Sequence, residues 1–436
     1  MARITDLWRG WRGRSRTLVP AGSTATASDP ASVASAEEPA SCATSGEGGV
    51  SPPMHATFAP GLWRGPVSRL AALGRSPSLL VVKLDHVGDL VTALPACERL
   101  RRAFPQSRMD LLCAPFTRDL ARATGLFDTV HAFPYYPARD HPPERATAAA
   151  LEALRALRLP PADIAIDLRH HDDARALLAA LPVRFRAGFA GLSTRHALDL
   201  ALPEMEASVR AGGRCDPLPA GVRLSLLAEA LAAMFAAAQE EDAALVRAAR
   251  QGREDLPGLP GGDAGYVVLA PGARLAIKGW PLEHWRALAA ALLARGTGGL
   301  VIVGSAEERG LCAALAEDLD ANRVAELSGR LDLPQLTAVI ASAQALVGLD
   351  SAPAHIAARL GRPTAVLFSG LADMASWAPT GPRVAVASAF ASCAPCFLPD
   401  LSQCPHDHGC MRTLTGDHAL AALASAGLEF AGVPSH

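Results

Sequence analysis

The chain has 436 residues, half of them hydrophobic, and its 41 basic and 43 acidic side chains nearly cancel to a formal net charge of −2. This length and composition indicate a soluble protein of two or three domains with well-formed cores. The balanced charge argues against a general nucleic-acid binder, because such proteins carry clustered positive charge that displaces the counterions of the phosphate backbone.

The N-terminal region is predicted to be poorly ordered through residue 75. Residues 1–53 are rich in Ser, Ala, Thr, Gly and Pro and cannot bury enough apolar surface to offset the entropy of ordering. The alternative is an over-long gene start with Met54 as the first residue. Residues 61–75 suit a short helix that lies either on a membrane surface or, more simply, docked on the protein.

We find neither a secretory signal nor an apolar run of about 18 residues in the sequence. We therefore expect a cytoplasmic protein. Its nine cysteines would then be reduced.

Arginine almost completely replaces lysine in this chain. Lys83 and Lys278 are the only two lysines among the 41 basic residues. Arginine is planar and bidentate whereas lysine is a compact point charge, so a site that needs lysine resists the replacement. The two lysines are either chance survivors or members of functional sites. Both lie at predicted strand-to-helix junctions, which favours functional sites.

From residue 76 short β-rich runs alternate with helical segments, and the first such unit extends to residue 255. Its strands are SLLVVKL, RMDLLCAP and DIAIDL, and the helix ACERLRRAF has Cys97, Leu100 and Phe104 on one face. Continuous apolar strands separated by helices predict a parallel sheet covered on both sides.

The junction after the first of these strands, VVKLDHVGDLVTALP, is unusually polar. Its polar side chains are Lys83, Asp85, His86 and Asp89. Pro95 lacks an amide hydrogen and prefers the first helical position, so the sequence predicts an open turn over residues 85–94, with Gly88 freeing the backbone. Asp89 either caps a helix or serves as a general base at the mouth of a cleft.

A Gly- and Pro-rich segment, residues 251–265, leads into a second unit, residues 256–436. Its strands are YVVLAPG, GLVIVGS, ALVGLDS and PTAVLFSG, again separated by helical segments. Two doubly wound halves place ligands at the carboxyl ends of their strands, so we expect the site in the cleft between the halves.

Two loops of the second unit carry candidate phosphate ligands. They contain Gly272, Ala273, Arg274 and Lys278 after the first strand, and Asp350, Ser351, Ala352 and His355 after the third. A lysine beside an arginine and free amides neutralises a phosphate, and a helix N-terminus attracts one. Asp350 would accept sugar hydroxyls. A solvated lysine, a capping aspartate and a packing histidine are the alternatives.

A cysteine-rich segment, CAPCFLPDLSQCPHDHGCM, lies near the C-terminus. It contains Cys393, Cys396, Cys404, Cys410, His406 and His408. A C-x-x-C pair followed by further Cys and His suits zinc, but this spacing matches no standard finger. Thiol packing or a redox pair explains it equally well, so we assign no metal.

The sequence lacks the phosphate and nucleophile motifs of several common enzymes. No G-x-G-x-x-G follows the first strand, and neither a P-loop nor a G-x-S-x-G elbow occurs. Dehydrogenase and P-loop interpretations therefore lose their main support.

Four ordered blocks of the chain resemble glycosyltransferase family 9, the lipopolysaccharide heptosyltransferases. They are VVKLDHVGDLVTALPACERLRRAFP, APGARLAIKGWPLEHWRALA, LSGRLDLPQLTAVIASAQALVGLDSAPAHIAARLGRPTAVLF and CAPCFLPDLSQCPHDHGCM. The resemblance covers residues 78–415. It implies a GT-B fold of two Rossmann-like domains that face a cleft, and inverting, metal-independent transfer of a heptose from an ADP-sugar to a lipopolysaccharide core acceptor.

The resemblance also implies roles for individual residues. Asp89 would be the general base that deprotonates the acceptor hydroxyl, Lys278 would hold the donor phosphates, and Asp350 would meet the sugar. Lys278 and a helix N-terminus would stabilise the leaving diphosphate. A base on the opposite face gives inversion.

Further residues fall to either side of the implied cleft. The other donor-side residues are Gly272, Ala273, Arg274, Glu308, Leu331, Ser351, Ala352 and His355, of which Glu308 and Leu331 would line the nucleoside pocket. The acceptor side would contain Lys83, Asp85, His86 and Gly88.

Two positions depart from the family pattern, since Leu349 and Ala352 replace its usual asparagine and glycine. Within the enzyme class, a related transferase that uses another nucleotide sugar, or a protein or other glycan acceptor, is an alternative. So is a catalytically weak nucleotide-sugar-binding protein. We expect no cofactor other than the donor substrate, no nucleic-acid partner, and a cytoplasmic enzyme in peripheral contact with the inner membrane.

Overall fold

The computed structural model describes residues 56–135, 148–170, 174–190, 197–203, 218–253, 256 and 258–429. Its strands are β1 (Gly61–Trp63), β2 (Leu79–Lys83), β3 (Met109–Cys113), β4 (Thr129–Ala132), β5 (Ile164–Asp167), β6 (Phe185–Ala190), β7 (Leu200–Pro203), β8 (Tyr266–Ala270), β9 (Gly299–Ile302), β10 (Val324–Glu326), β11 (Ala345–Leu349), β12 (Thr364–Phe368) and β13 (Val384–Ser388). Its α-helices are α1 (Pro66–Ala71), α2 (Val87–Ala103), α3 (Arg118–Ala123), α4 (Ala148–Ala156), α5 (Arg175–Ala180), α6 (Ala220–Gln239), α7 (Ala243–Gln251), α8 (Leu282–Ala294), α9 (Arg309–Ala316), α10 (Leu333–Ser342), α11 (Ala352–Arg359), α12 (Met374–Trp377), α13 (Gly409–Arg412) and α14 (Gly416–Ser425).

The first sheet is parallel throughout, with the strand order β4-β3-β2-β5-β6-β7. The chain runs outward from β2 to β4 and then returns to β5 on the other side of β2. Every residue of β2 is buried, with Leu79 and Val81 in the core on one face and Leu80 and Val82 in the core on the other. This two-sided burial explains why the strand is apolar without alternation.

Helices α2 and α6 cover one face of this sheet. The predicted apolar face of α2 is confirmed, since Cys97, Leu100 and Phe104 are all buried. The ring of Phe104 lies 4.6 Å from that of Phe235 in α6. By length and composition alone, residues 220–251 could cross a membrane, yet one face of α6 lies in this core.

The second sheet has the order β1-β13-β12-β11-β8-β9-β10, and only its edge strand β1 is antiparallel to its neighbour. Its parallel strands repeat the winding of the first sheet, with β8 and β11 in the positions of β2 and β5. The predicted α/β class with two doubly wound, Rossmann-like halves is confirmed. In such sheets the point where the strand order reverses is the expected ligand site.

The N-terminal segment from residue 56 to 75 is ordered, which corrects the prediction for this stretch. Strand β1 pairs with β13, and α1 buries Val67 and Leu70 against the first core. The buried hydroxyl of Ser68 donates to the carbonyl oxygen of Gly381 at 2.7 Å. Of the two alternatives for residues 61–75, the contacts match a docked helix. The prediction for residues 1–53 lies outside the described residues.

The change of packing between the two halves comes earlier than the predicted boundary at residue 255. Helix α7 contributes Leu245 and Val246 to the core of the second half. Asp242, which caps α7, forms an ion pair with Arg359 at 2.9 Å. The packing therefore changes between α6 and α7, because apolar periodicity predicts a helix without specifying which sheet it covers.

Candidate functional site

The turn after β2 is shorter than predicted. Helix α2 begins at Val87, so Pro95 lies inside the helix and the expected open turn over residues 85–94 is wrong. Pro95 removes a helical hydrogen bond to the carbonyl of Val91, but both residues are exposed, so water can satisfy that oxygen. Gly88 is helical, and a Cβ there would meet nothing within 4 Å. Its conformational freedom is therefore not required.

Asp89 is the third residue of α2 and lies at the carboxyl end of the first sheet. Its Oδ2 accepts a hydrogen bond from the backbone N–H of His86 at 3.3 Å, so the capping interpretation is realised. The ring of His86 stacks on Phe116 with 5.7 Å between centroids. Because the Asp89 side chain is exposed, capping does not prevent it from reaching a ligand.

A buried charge cluster lies beneath this turn. Lys83 and Asp85 are only 2% and 6% exposed and form an ion pair. The other oxygen of Asp85 pairs with Arg169, which follows β5. Asp167, at the end of β5, pairs with Arg175 at 2.8 Å. The Asp85–Arg169 pair therefore links the ends of the two central strands of the sheet, and the ammonium of Lys83 is already neutralised inside the protein.

The two carboxylates of this cluster differ in acidity. Burial favours a raised pKa for Asp85, but the charges and hydrogen bonds of Lys83 and Arg169 outweigh it and lower that pKa. Asp167 has a raised pKa because its complete burial dominates over the attraction of Arg175.

Lys278 lies in the loop that follows β8, the strand that takes the place of β2 in the second sheet. It ends a short 3-10 helix, Ala276–Lys278. Its Nζ lies 2.5 Å from Oδ2 of Asp350, which follows β11, and 3.2 Å from the backbone oxygen of the same residue. The pair thus bridges β8 and β11, where the strand order reverses.

Asp350 is held from two sides. Nε2 of His355 lies 3.4 Å from its Oδ1, opposite the contact with Lys278. Burial favours a raised pKa, but the hydrogen bonds and charges of His355 and Lys278 outweigh it and lower the pKa of Asp350. The carboxylate is therefore ionised at neutral pH and acts as an acceptor.

A cavity of about 490 Å³ opens beside this pair, a size typical of small-molecule sites. Nine of the ten residues predicted for the donor side line it: Gly272, Ala273, Arg274, Lys278, Glu308, Leu331, Asp350, Ser351 and Ala352. The tenth, His355, lies next to the cavity through its contact with Asp350.

The sequence interpretation missed part of the apolar wall of this cavity. Leu333 and Leu336, in the first turn of α10, join Leu331 in lining it. Leu333 is 69% exposed although it is a large apolar residue. The available signal was the position of Leu333 directly after the helix cap Asp332 and two residues from Leu331, which was already assigned to the nucleoside pocket.

The two departures from the family pattern differ in their consequences. Leu349 is fully buried in the second core and does not line the cavity. Ala352, the first residue of α11, does line it. Only the change at residue 352 therefore affects the surface that a ligand would meet.

Glu308 and Gly272 lie in close contact in the lining of the cavity. Oε2 of Glu308 accepts a hydrogen bond from the backbone N–H of Ser305 at 2.8 Å. A Cβ placed on Gly272 would lie 2.0 Å from the carboxyl carbon of Glu308. The close approach of these two residues therefore requires glycine at position 272.

The cysteine-rich segment belongs to the second half, where Cys410 and Met411 pack in the core. Cys393, Cys396, Cys404 and Cys410 are free thiols. Burial, together with the neighbouring thiols, raises the pKa of Cys410 to about 11. Among the described residues, no group of three or more His, Cys, Asp or Glu side chains has the geometry to hold a metal ion.

Comparison with known proteins gives one family. The model of glycosyltransferase family 9 (heptosyltransferase) matches residues 151–404. Lipopolysaccharide heptosyltransferase 3 of Escherichia coli is 37% identical over 115 residues, which are 26% of this chain and 34% of that protein. Lipopolysaccharide heptosyltransferase 1 of Pseudomonas aeruginosa is 35% identical over 141 residues, 32% of this chain and 37% of that protein. The matched stretches thus span about a third of these relatives.

Solved structures of the same kind of enzyme are also similar. The ADP-heptose lps heptosyltransferase II of E. coli is 20% identical, with a TM-score of 0.34, over 80% of this chain and 98% of that one. E. coli heptosyltransferase WaaC with ADP is 20% identical, with a TM-score of 0.29, over 70% of this chain and 91% of that one.

Proposed function

Because the chain belongs to glycosyltransferase family 9, we propose that it transfers a heptose from ADP-heptose to a lipopolysaccharide core acceptor with inversion at the anomeric carbon. The observation that carries this proposal is the Lys278–Asp350 pair at the reversal of the second sheet, beside a cavity lined by nine predicted donor residues. The names of the curated relatives support heptose as the transferred sugar and lipopolysaccharide as the acceptor. We propose that transfer occurs at the cytoplasmic face of the inner membrane.

In this proposal the cavity binds the ADP portion of the donor. The apolar wall that contains Leu331, Leu333 and Leu336 suits the adenine ring of ADP. Lys278 and the N-terminus of α11 would meet the diphosphate, where negative charge develops as the bond to the sugar breaks. Lys278 would then leave its contact with Asp350 in part, and the freed carboxylate would accept sugar hydroxyls.

The first half supplies the general base in this proposal. Asp89 is exposed at the carboxyl end of its sheet, as a general base must be to reach a hydroxyl. The acceptor would be oriented beside Asp89 by the surface that contains His86 and Gly88. Asp85 and Lys83 would support that surface from below, through the buried pair.

Replacing Lys278 with methionine tests the donor site. The substitution keeps the aliphatic stem and removes the charge, so we expect ADP to bind about 10- to 100-fold more weakly, the loss typical of charged hydrogen bonds to phosphate. Isothermal titration calorimetry with ADP measures this. Unchanged affinity would refute the phosphate role.

Thermal-shift screening of ADP-, GDP- and UDP-sugars tests the donor nucleotide, because a ligand that binds only the folded state raises its stability.

Replacing Gly272 with alanine tests the nucleoside side of the cavity. The new Cβ would displace the carboxylate of Glu308, which is the movable end of a side chain, so the protein should fold while ADP affinity falls about tenfold. The matched control is Gly310→Ala, two residues from Glu308, where a Cβ meets nothing within 4 Å. Equal ADP affinities for the two variants, measured by calorimetry, would remove Glu308 from the site.

A further inference from the structure

We propose that His408 is a positioning residue for Lys278, which it holds in place through the backbone of the preceding residue. The inference rests on the donor role proposed for Lys278. It assigns a function to part of the cysteine-rich segment, which the proposed reaction otherwise leaves unused.

Two hydrogen bonds join the Lys278 loop to residues 408–414, a stretch that begins in the cysteine-rich segment and continues beyond it. Nε2 of His408 lies 2.8 Å from the carbonyl oxygen of Ile277 and donates to it in the tautomer that carries this proton. Beyond the lysine, the indole of Trp280 donates to the carbonyl oxygen of Leu414 at 2.9 Å. These two bonds therefore hold the chain on both sides of Lys278, at Ile277 and at Trp280.

The backbone around His408 is shaped for this contact. Asp407 and His408 both adopt left-handed conformations, with φ of 49° and 54°. Non-glycine residues avoid this region because the Cβ atom lies too close to the backbone carbonyl, and such residues persist where their surroundings determine them. The next residue, Gly409, packs against Phe58 so closely that a Cβ would lie 2.5 Å from the ring. Close packing of Gly409 on Phe58 therefore holds the segment next to His408.

We expect the protein to stay folded without this contact. Residues of both the loop and the segment line an open cavity of about 540 Å³, among them Ala276, Gly279, Cys404, Asp407 and His408. Without the imidazole, water from this cavity can satisfy the Ile277 carbonyl, so the fold survives while the loop gains freedom. The bond therefore serves to set the direction of the ammonium of Lys278 toward the diphosphate.

The experiment compares His408→Ala, His408→Gln, Lys278→Met and the double variant of His408→Ala with Lys278→Met in the full chain. Calorimetry measures binding of ADP and of adenosine, which lacks the diphosphate. We expect His408→Ala to weaken ADP about fivefold and to leave adenosine unchanged. Glutamine places an N–H where Nε2 of histidine lies, so His408→Gln should restore ADP binding.

The double variant separates positioning from a structural role. If His408 acts through Lys278, its removal causes no further loss of ADP affinity once the lysine is gone. Additive losses, or equal weakening of ADP and adenosine, would overturn the proposal. If Lys278→Met weakens ADP and His408→Ala does not, the positioning role alone fails. If Lys278→Met changes nothing, the donor role fails and the positioning role with it.

His406 provides the matched control. Its imidazole lies two residues earlier in the same segment and packs edge-on against Phe58, with 6.4 Å between centroids. We expect His406→Ala to leave ADP affinity unchanged. A loss equal to that of His408→Ala would mean that any disturbance of the segment weakens binding, and would contradict a specific role for the bond to Ile277.

Discussion

Replacing Asp89 with asparagine is expected to slow sugar transfer by a factor of about 10² to 10⁴, the usual contribution of a general base, while ADP binds as before. Asparagine keeps an oxygen that can accept from the His86 N–H, so the helix cap is retained. It cannot take a proton from the acceptor hydroxyl at neutral pH. The substitution therefore separates the two roles that the sequence left open for this residue.

Transfer is measured with an ADP-sugar donor and the acceptor, alongside calorimetry with ADP. The matched control is Asp119→Asn, which makes the same change at an exposed first-turn position of α3 and should leave transfer unchanged. Full activity of Asp89→Asn would remove Asp89 as the base. If the unchanged chain binds ADP-sugars but transfers nothing, the alternative of a catalytically weak binding protein gains support.

Replacing Lys83 with methionine is expected to lower the free energy of unfolding by about 3 kcal/mol, because it leaves part of a buried charge cluster uncompensated. Asp85 would keep Arg169 as a partner, which places the loss at the low end of the range for broken buried pairs. Urea denaturation measures the change. ADP affinity, measured below the unfolding transition, should be unaffected.

The same substitution at the other lysine is the control. Lys278→Met removes a pair whose partners are 23% and 11% exposed, and Asp350 keeps His355 beside it. It should therefore cost much less stability than Lys83→Met while weakening ADP far more. Equal effects of the two substitutions on unfolding would contradict the division into a structural and a ligand-binding lysine.

The residues predicted for the donor side gather around one cavity because most of them follow strands that are buried on both faces. Strands β8 and β11 are continuous apolar runs, so the loops after them, with Lys278 and Asp350, were located correctly. The first half was harder to predict. The burial of Lys83 depends on Asp85 and on Arg169, which comes from a different strand, and no local pattern reports such a contact. Pro95 misled the prediction because its helical cost is small on an exposed face.

Strand β1 was not predicted for a related reason. It has three residues, and its partner in β13 lies more than 300 positions away in the chain. A strand this short gains its stability from the sheet edge that it joins. Its own sequence, GLW, carries no alternation that a window of neighbouring residues could detect.

This strand also has a practical consequence for expressing the protein. Residues 57–71 join one half by pairing β1 with β13 and the other by docking α1. A recombinant chain that began at residue 76, the predicted start of the first domain, would leave the backbone groups of β13 open to pairing between molecules. Met54 is the last methionine before this strand, so translation from Met54 keeps the edge closed. A start at the next methionine, Met109, would remove β1, α1 and the whole β2–α2 junction.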